Sequence, residues 1–385
     1  MRTVVTADKL WNGTQILDHP VVTLEDSVVT AIATRASAEI PAGATRLDFP
    51  GATLAPSFFD VHFHGAVNYD VMDATPEALS AISGFLATRG TGSFLATTVT
   101  APMDATLRAL EGLADIIERP VEPGHARPLG IHLEGPFLSH TKRGVHPPAS
   151  LLAPDIAIFD RMCQAARGHV KLMTLAPELP GAAELAAHAD KHGVRISMGH
   201  SNADTEQTQA LLQAGAVSVT HTFNAMRPLD HREPGILGVA LTDDNLYAEI
   251  ICDGIHTRPE LVKLWWRTKG PHRGLLVTDG MSATGMPNGT YSLGGFAVEV
   301  KDGHAMANGV LAGSVLTQNR ALENFVRFTG ASVADGLSLL TANPAQMTGL
   351  TGTTGALAVG GPANLVVVDA TGKLLKSIVG GAVAA

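Results

Sequence analysis

Cysteine is scarce in this sequence, and long apolar runs are missing. The 385 residues include two cysteines, Cys163 and Cys252, which are too few for a disulfide framework or a zinc–thiolate site. No run approaches the roughly 20 apolar residues that span a bilayer, and the N-terminal residues show no apolar core followed by a small-residue cleavage site. We therefore expect a cytoplasmic protein with no membrane partner.

The sequence also lacks a net positive charge and nucleotide-binding loops. The formal net charge is −9, which argues against a nucleic-acid partner but allows an anionic small-molecule substrate. We find no GxxxxGK[ST] loop, no GxGxxG that opens a helix after a strand, and no GxSxG turn. The predicted fourth barrel strand does not end in lysine, which excludes a metal centre bridged by a carboxylated lysine.

The two ends of the chain share one pattern. Short runs rich in Val, Thr and Leu alternate with glycine turns, and Asn12-Gly13 is typical of a hairpin. We predict a small β-sandwich domain formed by residues 1–53 and 348–385, which enclose a separate unit at 54–347.

Strand-like and helix-like segments alternate between these ends. Such alternation favours a parallel sheet with helical crossovers, and eight units over about 280 residues fit a closed barrel. The predicted fold class is α/β, a (β/α)8 TIM barrel with the small β-sandwich domain. The predicted strands are 54–62, 91–99, 129–134, 170–175, 195–200, 217–221, 247–252 and 274–279. Helix-like segments lie at 76–89, 104–118, 155–167, 181–192, 204–214 and 258–269, with two more near 315–329 and 333–342.

Polar residues close three of these strands. Glu134, His200 and His221 follow the runs LGIHLE, RISMGH and VSVTH. Because TIM barrels carry their chemistry at the C-terminal ends of their strands, these side chains should meet. Two imidazoles and a carboxylate suit zinc or another divalent transition ion with an open position. The alternatives are a buried ion pair or helix cap for Glu134 and structural roles for the histidines.

A second pair of histidines follows the first barrel strand. His62 and His64 are two residues apart, so their side chains project to the same side of an extended chain. They are candidate metal ligands, and the alternative is two ordinary structural histidines.

Asp279 ends the eighth predicted strand, GLLVTD. A nearby cation would lower its pKa, so that the carboxylate can take a proton from an attacking water and return it to the leaving nitrogen. The metal would acidify that water and polarise the carbonyl. The alternative is an aspartate that only forms the turn before Gly280.

Further candidate substrate contacts lie in loops that follow strands. Gly135 lets the backbone approach a ligand, and His146 and His256 can bond substrate hydroxyls or the carbonyl. Arg232 offers a planar cationic fork suited to phosphate. Each can equally be an ordinary loop residue.

Together these motifs resemble the N-acetylglucosamine-6-phosphate deacetylase family of the amidohydrolase superfamily. The resemblance covers nearly the whole chain. It rests on APSFFDVHFHG, LGIHLEGPF, KRGVHPP, LAPE, SMGHSNA, THTFNAM, HREPG, CDGIHTRPE, VTDGM, LAGSVLTQNRAL, TANPAQMTGL and GALAVGGPANLVVVD.

The resemblance assigns the reactive groups residue by residue. It makes Glu134, His200 and His221 the main metal ligands, and it makes Asp279 the general base and acid. His62 and His64 match a pair that supplies a second metal position in some members. Zinc is the expected metal, at one or two ions per subunit, with iron, manganese and cobalt as alternatives.

The resemblance also assigns substrate contacts. It makes His146 and His256 contacts to the sugar or amide, and Asn224, Ala225 and Arg232 the phosphate-binding group. Arg232 is expected to reach into the neighbouring subunit's site, which implies a homodimer.

The implied function is metal-dependent hydrolysis of N-acetylglucosamine 6-phosphate to glucosamine 6-phosphate and acetate. N-acetylgalactosamine 6-phosphate and other N-acyl substrates are the alternatives. A catalytically silent barrel that serves as a scaffold is disfavoured, because the ligands and the acid are all retained. Gln318 replaces a methionine that is common near the substrate in this family, so we expect it to affect sugar specificity.

Overall fold

The structure of the protein is a computed structural model that describes residues 2–39 and 41–384. Met1, Ile40 and Ala385, which belong to the predicted β-sandwich ranges, lie outside the described residues. Among the residues described, no helix is long and apolar enough to cross a membrane.

Strands and helices are numbered along the chain. The strands are β1 (Arg2–Trp11), β2 (Ile16–Asp18), β3 (Pro20–Glu25), β4 (Val28–Thr34), β5 (Thr45–Pro56), β6 (Phe58–Phe63), β7 (Gly65–Ala66), β8 (Tyr69–Asp70), β9 (Thr91–Val99), β10 (Arg127–Glu134), β11 (Val170–Leu175), β12 (Arg195–Met198), β13 (Ala216–Val219), β14 (Tyr247–Ile251), β15 (Gly274–Val277), β16 (Gly289–Leu293), β17 (Phe296–Lys301), β18 (His304–Ala307), β19 (Val310–Leu311), β20 (Leu365–Val368), β21 (Leu374–Val379) and β22 (Ala382–Val383). The α-helices are α1 (Pro76–Thr88), α2 (Met103–Ile117), α3 (Ile156–Ala165), α4 (Ala182–Lys191), α5 (Thr205–Gln213), α6 (Gly235–Thr242), α7 (Pro259–Arg273), α8 (Gln318–Thr329), α9 (Val333–Leu340) and α10 (Ala342–Thr348).

Strands from both ends of the chain form one mixed sheet in the order β22-β21-β20-β5-β1-β3-β4, with β2 paired to β1. β20 runs antiparallel to β5, and Val367 lies opposite Leu54. Both side chains belong to a separate apolar core. The predicted β-sandwich domain built from both termini is confirmed. Its bounds stay a prediction, and β5 continues to Pro56, past the predicted boundary at residue 53.

The middle of the chain forms an eight-stranded parallel barrel in the order β6-β9-β10-β11-β12-β13-β14-β15. The amide of Asp279 donates a 2.9 Å hydrogen bond to the carbonyl of His62, and a parallel bridge joins Phe63 to Gly280. These contacts join the last strand to the first at the C-terminal ends. The predicted TIM barrel is confirmed, and β9 and β11 have the predicted bounds.

Three predicted strands end two residues earlier than expected. β12, β13 and β15 end at Met198, Val219 and Val277. The site residues that were expected to close them therefore lie two residues farther on, in loops.

Helix α6 was not predicted. It is apolar (GILGVALT) except for Thr242 at its end, and all of its residues but Gly238 and Thr242 are buried. Without a polar face, it lacks the 3.6-residue alternation that reveals a surface helix.

The hairpin predicted after the eighth strand is larger in the structure. β16, β17, β18 and β19 form an antiparallel four-stranded sheet. Its residues Leu293, Met306 and Leu311 line a cavity at the barrel mouth. The insertion therefore forms one wall of the site.

Candidate metal-dependent active site

A cavity of about 400 Å³ opens at the C-terminal ends of the barrel strands. This volume lies within the usual range of small-molecule sites. Nine of the residues predicted from the sequence line it: His64, Glu134, His146, His200, His221, Asn224, Ala225, His256 and Asp279. His62 lies fully buried directly beneath it.

Glu134 is the common partner of the surrounding histidines. It ends β10, where alternation along the strand turns both His132 and Glu134 toward the barrel interior. Its Oε1 lies 3.1 Å from Nε2 of His200 and 3.1 Å from Nε2 of His221. Its Oε2 lies 3.3 Å from Nε2 of His64.

The polar atoms form two adjoining groups. Glu134, His200 and His221 make the first group, and His62, His64 and Asp279 make the second. Within the groups, Nε2 of His200 and His221 are 3.1 Å apart, and Nε2 of His64 lies 3.1 Å from Oδ1 of Asp279. Ligand atoms about 2.0–2.2 Å from a zinc ion are separated by about 3.3 Å in a tetrahedral site. The observed spacings match that separation.

Hydrogen bonds at the far side of the rings orient three of the histidines. His64 Nδ1 donates to the carbonyl of Thr97 and His200 Nδ1 donates to the carbonyl of Lys142, each at 2.9 Å. His62 Nδ1 donates to the carboxylate of Glu249 at 3.2 Å. A neutral ring that donates from Nδ1 carries its lone pair on Nε2, so all three lone pairs are aimed at the carboxylates in the centre. Lone pairs and carboxylate oxygens that face one another repel unless a cation lies between them. Imidazole nitrogens and carboxylate oxygens are ligands that fit a divalent metal.

The electrostatics agree with this fit. Burial opposes protonation of His64, but hydrogen bonds with Asp279 and Glu134 raise its pKa to about 9. Burial also opposes ionisation of Glu134, yet His62 and the neighbouring histidines hold its pKa well below its ordinary value. The centre therefore favours positive charge at the histidine Nε2 atoms.

Asp279 stays ionised in this environment. Burial alone would raise its pKa, but His62 and His64 lower it to about 2. Its side chain lines the cavity, where the carboxylate can accept a proton at neutral pH.

His146 and His256 differ from the candidate ligands. The amide of Thr100 donates to Nδ1 of His146, so a neutral His146 carries its proton on Nε2, 3.5 Å from Glu134 Oε2. His256 Nδ1 donates to Asp253 at 2.6 Å. Burial opposes protonation of His256, but Asp253 raises its pKa above the ordinary value.

The remaining predicted contacts are not all at the cavity. Asn224 and Ala225 line it, whereas Gly135 and Arg232 do not. Gly135 has φ 92°, and a Cβ there would lie 2.1 Å from Oγ1 of Thr100, so its glycine is required by packing. Arg232 is exposed on its loop.

The backbone is strained at the strand ends that carry the site. His200, His221 and Asp279 have positive φ values of 47°, 28° and 52°. Non-glycine residues seldom adopt this conformation, which costs of order 1–3 kcal/mol and clusters at functional sites. The surrounding bonds hold it, as where Ser314 donates to the carbonyl of Asp279 at 2.6 Å.

A third group of metal-binding residue types lies on the outside of the barrel. It contains Asp160 of α3, His188 of α4 and His192, which directly follows α4. α4 leads from the end of β11 to the start of β12, so its last turn lies at the barrel end opposite the cavity. His188 donates to Asp160 at 2.7 Å, with Asp160 exposed and His188 half-buried. This hydrogen bond accounts for their proximity.

Sequence reasoning missed several buried partners of the site. Glu249, in the middle of β14, is fully buried, and its carboxylate bonds to His62. His132 is also fully buried and bonds to Thr174 at 2.8 Å. The available signal was a charged or imidazole side chain inside an otherwise apolar strand.

The expectation for Gln318 is wrong. It lies at the N-terminus of α8, 1% exposed, where it accepts a hydrogen bond from Thr91 at the start of β9. That end of the barrel is opposite the cavity, so Gln318 does not contact a substrate there.

Comparison with known proteins settles the family. The amidohydrolase family profile matches residues 53–384. The chain belongs to the amidohydrolase family. The match spans the whole barrel and the C-terminal strands of the sandwich, and it confirms the resemblance seen in the motifs.

Two amidohydrolases with curated functions are similar over most of their length. N-acetylgalactosamine-6-phosphate deacetylase of Escherichia coli O157:H7 is 36% identical over 370 residues, with 96% of each chain covered. N-acetylglucosamine-6-phosphate deacetylase of Bacillus subtilis (strain 168) is 37% identical over 336 residues, which cover 86% of this chain and 85% of the relative.

A solved amidohydrolase structure has the same fold throughout. It is a variant of N-acetyl-D-glucosamine-6-phosphate deacetylase from Mycobacterium smegmatis in complex with N-acetyl-D-glucosamine-6-phosphate. It is 35% identical, has a TM-score of 0.91, and covers 100% of this chain and 99% of its own.

Metal removal should lower the thermal stability of the protein. Saturation at 1,000 times the Kd stabilises a folded state by about 4 kcal/mol, so zinc added to chelated protein should raise Tm by several degrees in scanning calorimetry. His200→Ala should lose most of this rise. The control His188→Ala, from the exposed group, should keep it. An equal rise in both variants would place the stabilising ion elsewhere.

Proposed function

We propose that this amidohydrolase removes the acetyl group from an N-acetylated amino-sugar 6-phosphate, with N-acetylglucosamine 6-phosphate as the first candidate. The observation that carries the proposal is the convergence of Glu134, His200, His221 and Asp279 on one cavity at the barrel mouth. The deacetylases named above, which are similar over most of the chain, support the choice of substrate class.

The proposed metal is zinc, held by Glu134, His200 and His221, with His62 and His64 available for a second ion. A bound divalent ion would acidify water and polarise the amide carbonyl. Glu134 and the oriented Nε2 lone pair of His200 would hold the first ion, and the oriented lone pairs of His62 and His64 would hold the second.

Asp279 is the proposed general base and acid. Its carboxylate is ionised, lines the cavity and lies beside His64. It takes a proton from the attacking water and later delivers it to the nitrogen of the leaving amine. The strained backbone, held by the closing contacts of the barrel, aims this carboxylate into the cavity.

His256 is the proposed partner of the acyl carbonyl oxygen. Because its Nδ1 donates to Asp253, the neutral ring presents only a lone pair at Nε2, which cannot donate to an oxygen. The protonated ring can donate, and Asp253 favours that form. His256 therefore acts as an imidazolium that polarises the carbonyl.

The proposed phosphate contacts do not all lie in one cavity. Asn224 and Ala225 line the cavity, whereas Arg232 is exposed in its own subunit. An exposed arginine is free to reach a neighbouring molecule, which supports a homodimer in which Arg232 completes the partner's phosphate site. We also propose a cytoplasmic location.

N-acetylgalactosamine 6-phosphate is a second candidate substrate. It is favoured by the 36% identity over 96% of both chains with a deacetylase of that epimer. The two sugars differ only at the C4 hydroxyl, and both carry the same acetamide and phosphate.

The test is acetate release by the zinc-loaded protein. The substrates are N-acetylglucosamine 6-phosphate, its galactosamine epimer and unphosphorylated N-acetylglucosamine. We expect strong release from a phosphorylated sugar and weak release from the unphosphorylated one, because remote binding of the phosphate positions the amide. Equal release with and without phosphate would contradict the phosphate site, and no release from any of the three would contradict the function.

Asp279→Asn should abolish turnover while the ion at Glu134, His200 and His221 is retained. The amide cannot take up the proton, so kcat should fall by roughly 10²–10⁴-fold, the usual contribution of a general acid–base. Metal content by mass spectrometry and kcat for acetate release are measured on the same sample. The control His200→Ala should lose both metal and turnover, and near-normal turnover in Asp279→Asn would disprove the assigned role.

Asp253→Asn should shift the pH profile. His256 must be protonated to donate, so activity is lost as the pH rises through its pKa. Since Asp253 raises that pKa, removing its charge lowers it. The alkaline limb of kcat/KM should therefore move to lower pH. The control is Asp104→Asn, which removes an exposed carboxylate on α2. An unmoved alkaline limb in Asp253→Asn would contradict the role of His256.

A further inference from the structure

Glu249 is a buried carboxylate to which the predicted chemistry assigns no role. It lies in the middle of β14, in the sequence YAEII, and its exposed fraction is 0%. An ionised group in a barrel interior costs much free energy unless it is paired. Its partners therefore indicate why the strand tolerates it.

The carboxylate of Glu249 touches both candidate metal groups. Its Oε2 accepts from Nδ1 of His62 at 3.2 Å and from the main-chain amide of His221 at 3.2 Å. Its Oε1 is buried and has no hydrogen-bond partner among the described residues. The free acceptor shows that the side chain is not simply satisfied by the surrounding protein.

His62 has a different acceptor from those of the other oriented histidines. His64 and His200 donate from Nδ1 to main-chain carbonyls, which are neutral. His62 donates to a charged group. A carboxylate behind an imidazole fixes the ring and makes its Nε2 a stronger ligand. That Nε2 lies 3.2 Å from Nε2 of His64 and 3.6 Å from Oδ1 of Asp279.

The charge balance points the same way. Three buried carboxylates contact the imidazole rings of the candidate ligands: Glu134, Glu249 and Asp279. Within the described ranges, no lysine or arginine forms an ion pair with any of them, and their ion-pair partners are histidines. Three buried carboxylates without a lysine or arginine partner favour the binding of more than one cation at this centre.

We propose that Glu249 is a positioning residue for a second divalent ion held by His62, His64 and Asp279. Occupancy of that position depends on the Glu249–His62 bond, while the position formed by Glu134, His200 and His221 does not require it. The inference rests on the proposed metal-dependent function and deepens it.

The experiment counts bound metal in the intact protein. Chelated wild-type protein, Glu249→Gln and His62→Ala are equilibrated with graded zinc or manganese, and bound metal per subunit is measured by mass spectrometry. Manganese resonance spectra report whether two ions are close enough to couple, a signature that a merely structural role would not give. Asp60→Asn is the matched control, because Asp60 is equally buried and bonds the main chain of His62 rather than its ring.

We expect two ions and a coupled spectrum in wild type and in Asp60→Asn. Glu249→Gln should bind the first ion normally and the second 10–100-fold more weakly, as is typical when a carboxylate behind a ligand is lost. Excess metal should restore the second ion in Glu249→Gln but not in His62→Ala. Circular dichroism verifies that each variant is folded.

Two results would overturn the proposal: a wild type that binds one ion, or a Glu249→Gln protein that binds the second ion with unchanged affinity. Failure of the proposed function is distinguishable, since a protein can bind two coupled ions in this manner and still release no acetate from any sugar tested.

Discussion

The Glu134 carboxylate is the contact on which the rest of the site depends. Its two oxygens lie within 3.5 Å of Nε2 on five histidines: His62, His64, His146, His200 and His221. The five histidines lie in or after four different strands, and only His146, in the loop after β10, is near Glu134 in sequence. A parallel barrel is the structure that brings them together, because all strand C-termini meet at one end. The carboxylate oxygens and the surrounding imidazole nitrogens together then form a cation site.

The structure around the centre holds its members in unfavourable conformations. His200, His221 and Asp279 lie past the ends of their strands with positive φ. The bond from Asp279 to His62, which closes the barrel, also fixes the direction of the Asp279 carboxylate, the proposed general base. Conformational strain of this kind persists only where surrounding contacts over-determine it. Barrel closure and site geometry are thus one constraint, since a barrel that failed to close would also misplace Asp279.

Sequence reasoning succeeded where a residue's environment follows from its own strand. β9 and β11 were predicted with their observed bounds, and Glu134 was placed at the end of β10 because a polar residue there interrupts an apolar run. It failed where the partner is distant or the pattern is uniform. α6 has no polar face, and Glu249 is recognised as a partner of His62 only when β14 and β6 are seen across the barrel. Gln318 was misjudged because the chain after Ser314 runs away from the cavity toward the opposite end.

The measurement that tests the account most directly is a crystal structure of the zinc-soaked protein with anomalous scattering recorded on both sides of the zinc edge. The account predicts a peak about 2.0–2.2 Å from Glu134, His200 and His221 at the barrel mouth. A peak confined to Asp160, His188 and His192, or no peak at all, would contradict it. The histidines and carboxylates at the barrel mouth would then only form hydrogen bonds with one another and would not bind a metal.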